Sequence, residues 1–436
     1  MAFSAFYAGL SGLQANAGRL SVIGNNLANV NTIGFKASRV TFQDIFSQTG
    51  VGAGVNGAGN PQQVGLGTQI AGIDQMFSQG SLQSTGLVTD VAIQGNGFFV
   101  VADHAGGRAL TRAGNFTFDK DGNLVTAAGQ YVQGYAQRDA NNRIVTSGTI
   151  GNITIPVGLA APPLATSFVS TQINLSADAK VDDPATATDE AGVFSTTMSI
   201  YDSLGARHDM TLSFRPVDTN ADGIRDQWTY TATVPGGEVA GGTAGTPFQL
   251  ATGAVTFDAS GHLTAPSGPV TLNTPAWTNG AAGQAVEWRL FDDSLAGTIT
   301  GFSGPSATSS TNQNGYGVGQ LRTLTMDQDG LISGVFTNGV TLEMARFALA
   351  TFNNPNGLLK NGMNSYLETN ASGPATIGGA NSGGRGMLSA NSLELSNVDI
   401  TQEFTDLIVS ERGYQANSRI ITTTDQIMQE ALNLKR

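Results

Sequence analysis

The chain of 436 residues contains no cysteine. Disulfide staples and thiolate metal sites are therefore excluded, and a fold reached outside the cell needs no redox help. Charge is scarce: Asp, Glu, Lys and Arg make up 12% of residues, against roughly 25% in an ordinary soluble domain. The 21 basic residues are outnumbered by 33 acidic ones, for a net charge of -12. With no basic patch to override that charge, phosphate backbones and anionic lipid heads are repelled, and nucleic acid is excluded as a partner. No stretch approaches the ~18 consecutive apolar residues of a membrane span, so membrane insertion is not expected. The first basic residue is Arg19, too late for the basic start of a secretory signal, and the expectation is export without a cleaved signal.

What is abundant is glycine, 57 residues or about one in eight, roughly twice the usual share. A chain of this length exceeds one compact core, so two or three domains are expected.

The first 30 residues carry a helical period. Phe3, Phe6, Leu10, Leu13, Ala17, Leu20, Ile23, Leu27 and Val30 recur at spacings of three and four, predicting a helix of about 28 residues, roughly 42 Å long. Its other face is unusual, because Arg19 is the only charged side chain before Gly34 and the remaining positions hold Ser, Asn, Gln, Gly and Ala. A helix that met water there would carry Glu and Lys. A buried core helix satisfies this pattern, and so does a helix surrounded by others of its kind, whose uncharged amides donate and accept across interfaces. The run "NNLANVN" places Asn25, Asn26, Asn29 and Asn31 where the period ends.

A second period runs from Val398 to Leu434 through Ile400, Phe404, Leu407, Tyr414, Ile421, Met428 and Ala431. The intervening chain reads as strands and loops and offers no helical groove, so the two terminal helices are expected to pair with each other.

Between them, "VAIQGNGFFVV" (91–101) and "LTRAGNFTFDKDGNLV" (110–125) alternate and turn as antiparallel hairpins. "FTFDKDGNLV", "VTFDASGHLT" and "LTMDQDGLIS" share a strand, an Asp, a short step to Gly and an apolar return, the chemistry of a hairpin turn. "IPVGLAAPPLATS" (155–167) and "GFSGPSATSSTNQNGYGVG" (301–319) read as linkers around an inserted β-domain, and residues 50–67 as an extended Gly-rich segment.

Chemical motifs are weak. Gly52, Gly54 and Gly57 match a phosphate-binding spacing but follow no strand and open no helix. Asp218, Asn220, Asp222 and Asp226 occupy calcium-loop positions around Gly223, yet Thr229 stands where a bidentate Glu is required. An acidic turn is the preferred reading. His104, His208 and His262 have no carboxylate at ligand spacing, which argues against zinc. No catalytic constellation emerges, and neither an enzyme activity nor a cofactor is expected.

Two stretches carry a resemblance. "SGLQANAGRLSVIGNNLANVNTIGFK" (11–36) resembles the N-terminal signature of the bacterial flagellar rod, hook and hook-junction proteins, and "SNVDITQEFTDLIVSERGYQANSRIITTTDQIMQEALNL" (396–434) resembles their C-terminal signature. "AIQGNGFFVV", "TRAGNFTFDKDGNLV" and "ARFALATFNNPNGL" are similar to the axial β-domain of the distal rod and hook. The insert of about 150 residues resembles the outer domain of the hook branch, and covers the part of the chain where the resemblance is weakest.

The resemblance implies a multidomain, mainly β fold. Residues 1–34 and 390–436 form a coiled-coil-like helical core domain, 35–85 an extended linker segment, 86–150 and 306–375 a discontinuous axial β-domain, 151–305 an inserted outer β-domain and 376–389 a Gly-rich linker. It implies a non-enzymatic subunit that polymerises into the extracellular hook, a flexible tube passing torque from rod to filament. Its partners would be itself, the distal rod, hook cap and hook-filament junction proteins, and the flagellar export apparatus. The alternatives are a distal rod protein and, in a different class, a secreted β-rich adhesin. The implied assembly interface comprises Leu10, Leu13, Leu20, Asn25, Asn26, Leu27, Asn29, Val30, Asn31, Phe404, Leu407, Tyr414, Asn417, Ile421 and Met428.

Overall fold

The periodic segment at each end of the chain forms a helix: α1 spans Ala2–Ala28 and α2 spans Ile400–Asn433. The computed structural model describes residues 2–49, 63–139, 143–156, 158–181, 192–218, 227–292 and 296–433. Asp399 caps α2, its carboxylate accepting from the Thr401 and Gln402 amides at 2.8 and 3.2 Å, which satisfies donors the first turn leaves free. Among the described residues between the helices, the regular elements are strands apart from two short 3-10 turns.

The chain divides into two units. The first comprises residues 1–157, 324–334 and 342–436, the second 158–323 and 335–341.

In the first unit α1 and α2 run antiparallel, and a two-stranded antiparallel pair, Ser38–Asp44 with Thr68–Gln75, packs along α1. The stretch read as a linker over 35–85 thus contains paired strands; the Gly52, Gly54 and Gly57 motif lies outside the described residues. The main antiparallel sheet joins Phe98–Ala102 to Arg108–Thr111 and to Tyr131–Tyr135, with Ala348–Thr351 pairing Thr376–Gly379. Its core is aromatic. Phe99 meets Phe116 edge-on at 5.1 Å between ring centres and Phe347 at 5.7 Å, while Phe98 gathers Phe77, Tyr366 and Phe352. The Gly-rich 376–389 stretch is also part of the β-structure, since Met387–Ala390 pairs with Val91–Gln94.

In the second unit five strands follow one another antiparallel from Phe194–Tyr201 to Leu263–Ala265. A second sheet places Phe168–Asn174 beside Ala285–Arg289 and Ala307–Gln313. Strict alternation of burial along Gln227–Pro235 turns one face inward, and both sheets contribute to one core around Phe214, Trp228 and Trp288. Ala307–Gln313 lies inside the stretch 301–319 read as a linker. Its Ser, Thr and Asn side chains are mostly exposed, so it has no apolar face to announce a strand. Its hydrogen-bond partners in the sheet lie far back in the sequence, on Phe168–Asn174.

The Asp-to-Gly turns form as expected. Asp119 accepts from the Asp121 and Asn123 amides at 2.9 and 2.8 Å, and Asp258 from Ser260 and His262 at 2.8 Å each. Gly122 and Gly261 take the positive φ of +81° and +80° that the turn needs.

Candidate functional site

The helix pair is held by small and polar residues. A Cβ placed on Gly12 would lie 2.8–2.9 Å from the amide of Asn417, and one on Gly413 would lie 3.0 Å from Oδ1 of Asn16. Each helix thus offers a glycine socket to an asparagine of the other. Gly9 lies against Ile420 and Ile421, and Ser410 and Thr424 are buried on the same side of α2. Arg19 bonds Asp406 at 2.9 Å.

This pairing leaves much apolar surface of α2 uncovered. Phe404, Ile408, Val409, Tyr414, Ile420, Ile427 and Leu432 are exposed. Ile408 lies two residues from buried Ser410, which at 100° per residue points it about 160° away from the pairing face. Among the sequence-derived candidates, Phe404 and Tyr414 belong to this exposed set. Leu10, Leu13, Leu20, Leu27, Val30, Leu407, Asn417, Ile421 and Met428 are half-buried. Ile408, Val409, Ile420, Ile427 and Leu432 were missed because a single period was followed, while α2 has a pairing face and an outer face.

The asparagines split in two. Asn26 is buried; its amide donates to Ser38 O and to Glu403 Oε1, both at 2.8 Å, and accepts from the Ser38 amide at 2.9 Å. Asn29 donates to Asn25 O at 2.8 Å and accepts from the Thr32 hydroxyl at 3.0 Å. Their amides find partners inside the chain, whereas Asn25 and Asn31 are exposed. Burial pushes the Glu403 carboxyl up; the bond from Asn26 opposes this, and nearby Asp406 adds to it.

Where the helices meet the β-domain, an ion cluster is buried. Lys36 is 1% exposed; its amine donates to Glu394 Oε1 at 2.8 Å and to Ser78 O at 2.6 Å. Arg112 donates through Nε to Glu394 Oε2 at 2.6 Å and through its terminal nitrogens to the carbonyls of Gly97, Gly95 and Ile93. Glu394 also accepts from the Gly80 amide at 2.9 Å. Asn397 accepts from the Ala37 amide at 2.8 Å and donates to Met76 O at 2.6 Å. Burial pulls the Lys36 amine below its usual range, and the Glu394 bond opposes it. Sequence reasoning missed this cluster because Lys36, Arg112 and Glu394 stand far apart in the chain; the local signal was a lone Lys36 in a stretch almost free of charge.

In the second unit His208 is held between two carboxylates, Nδ1 at 2.6 Å from Glu238 and Nε2 at 3.1 Å from Asp202, and stacks on Trp277 at 3.5 Å. Along the chain His208 has no carboxylate at ligand spacing; the fold supplies two from separate turns. Of the calcium-loop candidates only Asp218 is described, and Asn220, Asp222 and Asp226 lie outside the described residues. Among the described residues no group of three or more His, Cys, Asp or Glu is placed to hold a metal, and no helix is long and apolar enough to cross a membrane.

Four family models match the chain: Flagella basal body rod protein over residues 6–36, Flagellar hook protein FlgE/F/G D1 domain over 92–181, Flagellar basal body protein FlaE D2 domain over 174–316, and Flagellar basal body rod FlgEFG protein C-terminal over 389–434. The Flagellar hook protein FlgE of Treponema pallidum is 40% identical, with 99% of each chain covered. That of Salmonella typhimurium is 34% identical over 99% of this chain and 100% of its own. The crystal structure of Helicobacter pylori flagellar hook protein FlgE2 shares the fold, with a TM-score of 0.52 at 17% identity, covering 72% of this chain and all of that one. Full-length likeness to hook proteins, insert included, displaces the rod and adhesin alternatives: the chain belongs to the flagellar hook protein family.

Proposed function

We propose that this hook subunit self-assembles into the extracellular tube by packing its α1–α2 pairs side by side, so that the outer apolar face of α2 is covered by neighbouring copies. One observation carries this reading: α2 turns Gly413, Asn417 and Ile421 toward α1 and leaves Phe404, Ile408, Val409 and Ile427 exposed. Large apolar side chains left exposed in this number on one helix mark a surface for another chain to cover. Identical helix pairs repeated around an axis cover it without a further component. In this reading Leu10, Leu13, Asn417 and Ile421 hold the pair together, while Phe404 and Tyr414 contact the next subunit. Residues 1–34 and 390–436 form the inner wall of the tube in this reading. Its further partners are the distal rod below, the cap and hook-filament junction proteins at the growing end, and the flagellar export apparatus. The low surface charge suits the work of bending. Gly, Ser, Thr and Asn surfaces slide through water-mediated contacts, where strong ion pairs would make sticking points.

The test is Ile408→Asp and Ile427→Asp. These side chains are 50% and 59% exposed in the single chain, so the monomer should melt and show circular dichroism as the parent does. Burying an unpaired carboxylate in the polymer is costly, so neither variant should form tubes by electron microscopy. Tubes as abundant as the parent's would sink the proposal.

A further inference from the structure

We infer that the buried cluster of Lys36, Glu394 and Arg112 fixes the angle at which the α1–α2 pair leaves the β-domain, and that this angle sets the helical repeat and bend of the assembled tube. The inference rests on the polymer proposed above and concerns a different set of residues.

Four chain segments converge at this neck. The chain leaving α1 brings Lys36, the segment before α2 brings Glu394 and Asn397, the turn after Arg108–Thr111 brings Arg112, and residues 76–80 thread between them. Gly34 closes the approach. Its amide donates to Glu394 O at 2.7 Å, its φ is +69°, and a Cβ there would lie 2.7 Å from the backbone of Arg112 and Ala113.

Stability alone gives a weak reason for such a neck. A buried ion pair often contributes no more than well-packed apolar side chains of similar volume would, because desolvation offsets the attraction. What hydrogen bonds add is direction. Arg112 donates in a planar fork to Glu394 and to three carbonyls, and both oxygens of Glu394 are engaged. A rotation of the helix pair against the β-domain breaks several of these bonds together and strands buried charges. An apolar contact in the same place would tolerate sliding. The cluster therefore holds one orientation where the helical layer joins the β-layer, and in a helical polymer an angle repeated in every subunit accumulates along the tube.

The charges suggest a clean perturbation. Lys36, Arg112 and Glu394 sum to +1, and in Lys36→Met/Glu394→Gln the remaining Arg112 also gives +1. The double variant removes the side-chain ion pair between the two terminal segments without adding uncompensated buried charge, and Arg112 keeps its carbonyl acceptors. Full-length parent and variant are polymerised and imaged by electron microscopy, and monomer melting is followed by circular dichroism. The expected result is a β-domain that melts as in the parent, and tubes whose helical repeat or mean curvature falls outside the parent's spread. Tubes indistinguishable from the parent's overturn the inference, and so does a loss of β-domain melting, which would make the cluster a core element of that domain. Asn397→Ser, which removes the amide bridging Ala37 and Met76 without touching a charge, is the second variant; its tubes must shift in the same quantity, and parent-like tubes from it overturn the inference too. A parent that forms no tubes would instead refute the polymer proposal.

Discussion

Gly12→Ala sets two effects of known size against each other. In a helix interior the change from glycine to alanine is worth about 1 kcal/mol in favour of the helix. Gly24, also within α1, has nothing within 4 Å of the position a Cβ would take, so Gly24→Ala should realise that gain in full. At Gly12 the new methyl would lie 2.8–2.9 Å from three atoms of the Asn417 amide, far inside ordinary contact. Overpacking of this kind costs about 1–3 kcal/mol. The expected net effect runs from near zero to a loss of about 2 kcal/mol, opposite in direction to Gly24→Ala. Asn417→Ala in the same chain empties the socket, so Gly12→Ala/Asn417→Ala should be more stable than the two single changes predict, with a coupling of about 0.5–3 kcal/mol. Urea titration followed by the helical circular dichroism signal reads all four chains, since 1 kcal/mol moves a midpoint by roughly 0.3–1 M. If Gly12→Ala stabilises as much as Gly24→Ala, or if the double variant is simply additive, the helices do not meet through these sockets.

Two predictions concern pH. Burial alone would raise the Asp202 carboxyl, but hydrogen bonds from Asn279, His208 and the Ala206 and Leu204 amides together hold it below its usual range. A depressed carboxyl stabilises the fold above its unfolded value and loses that contribution as pH falls, so the second unit should lose melting temperature below about pH 4. Asp202→Asn should be less stable at neutral pH and show a flatter acid limb; an unchanged acid limb would count against the role given to Asp202. Glu403 is shifted the other way, so its contribution is present below the unfolded value and fades as pH rises through the raised one. Glu403→Gln, which still accepts from Asn26, should make the helix pair more resistant to urea at neutral pH and remove that pH dependence. A weaker pair would refute it.

Local chemistry was legible in the sequence; distant complementarity was not. The turns at Asp119, Asp258 and Asp327 were readable because an Asp, its acceptor geometry and a glycine with positive φ all fall within a few residues. Both helices were readable from their period. The face through which they pair was not, since hydropathy registers apolar side chains and the pairing depends on missing ones: Gly9, Gly12 and Gly413 let asparagine and isoleucine approach the backbone. His208 shows how alternation alone carries information. In Arg207–Val217 the inward row is His208, Met210, Leu212, Phe214 and Pro216, so a titratable ring occupies a core position. A ring buried in that row needs polar partners, and the fold supplies them as Asp202 and Glu238.

The three kinds of contact divide the mechanical work of a bending tube. Between the terminal helices, close small-residue packing with reciprocal asparagines and one Arg19–Asp406 ion pair fixes register. At the neck, saturated ionic hydrogen bonds fix orientation. In the polymer proposed above, the exposed apolar side chains of α2 supply attraction that is non-directional and so tolerates small displacements between neighbours. A subunit that must keep its internal geometry while its lattice contacts lengthen and shorten at each turn needs directional bonds within the chain and non-directional ones between chains. The distribution of Asn26, Lys36, Arg112, Glu394 and Asn397 inside, with Phe404, Ile408 and Ile427 outside, follows that division.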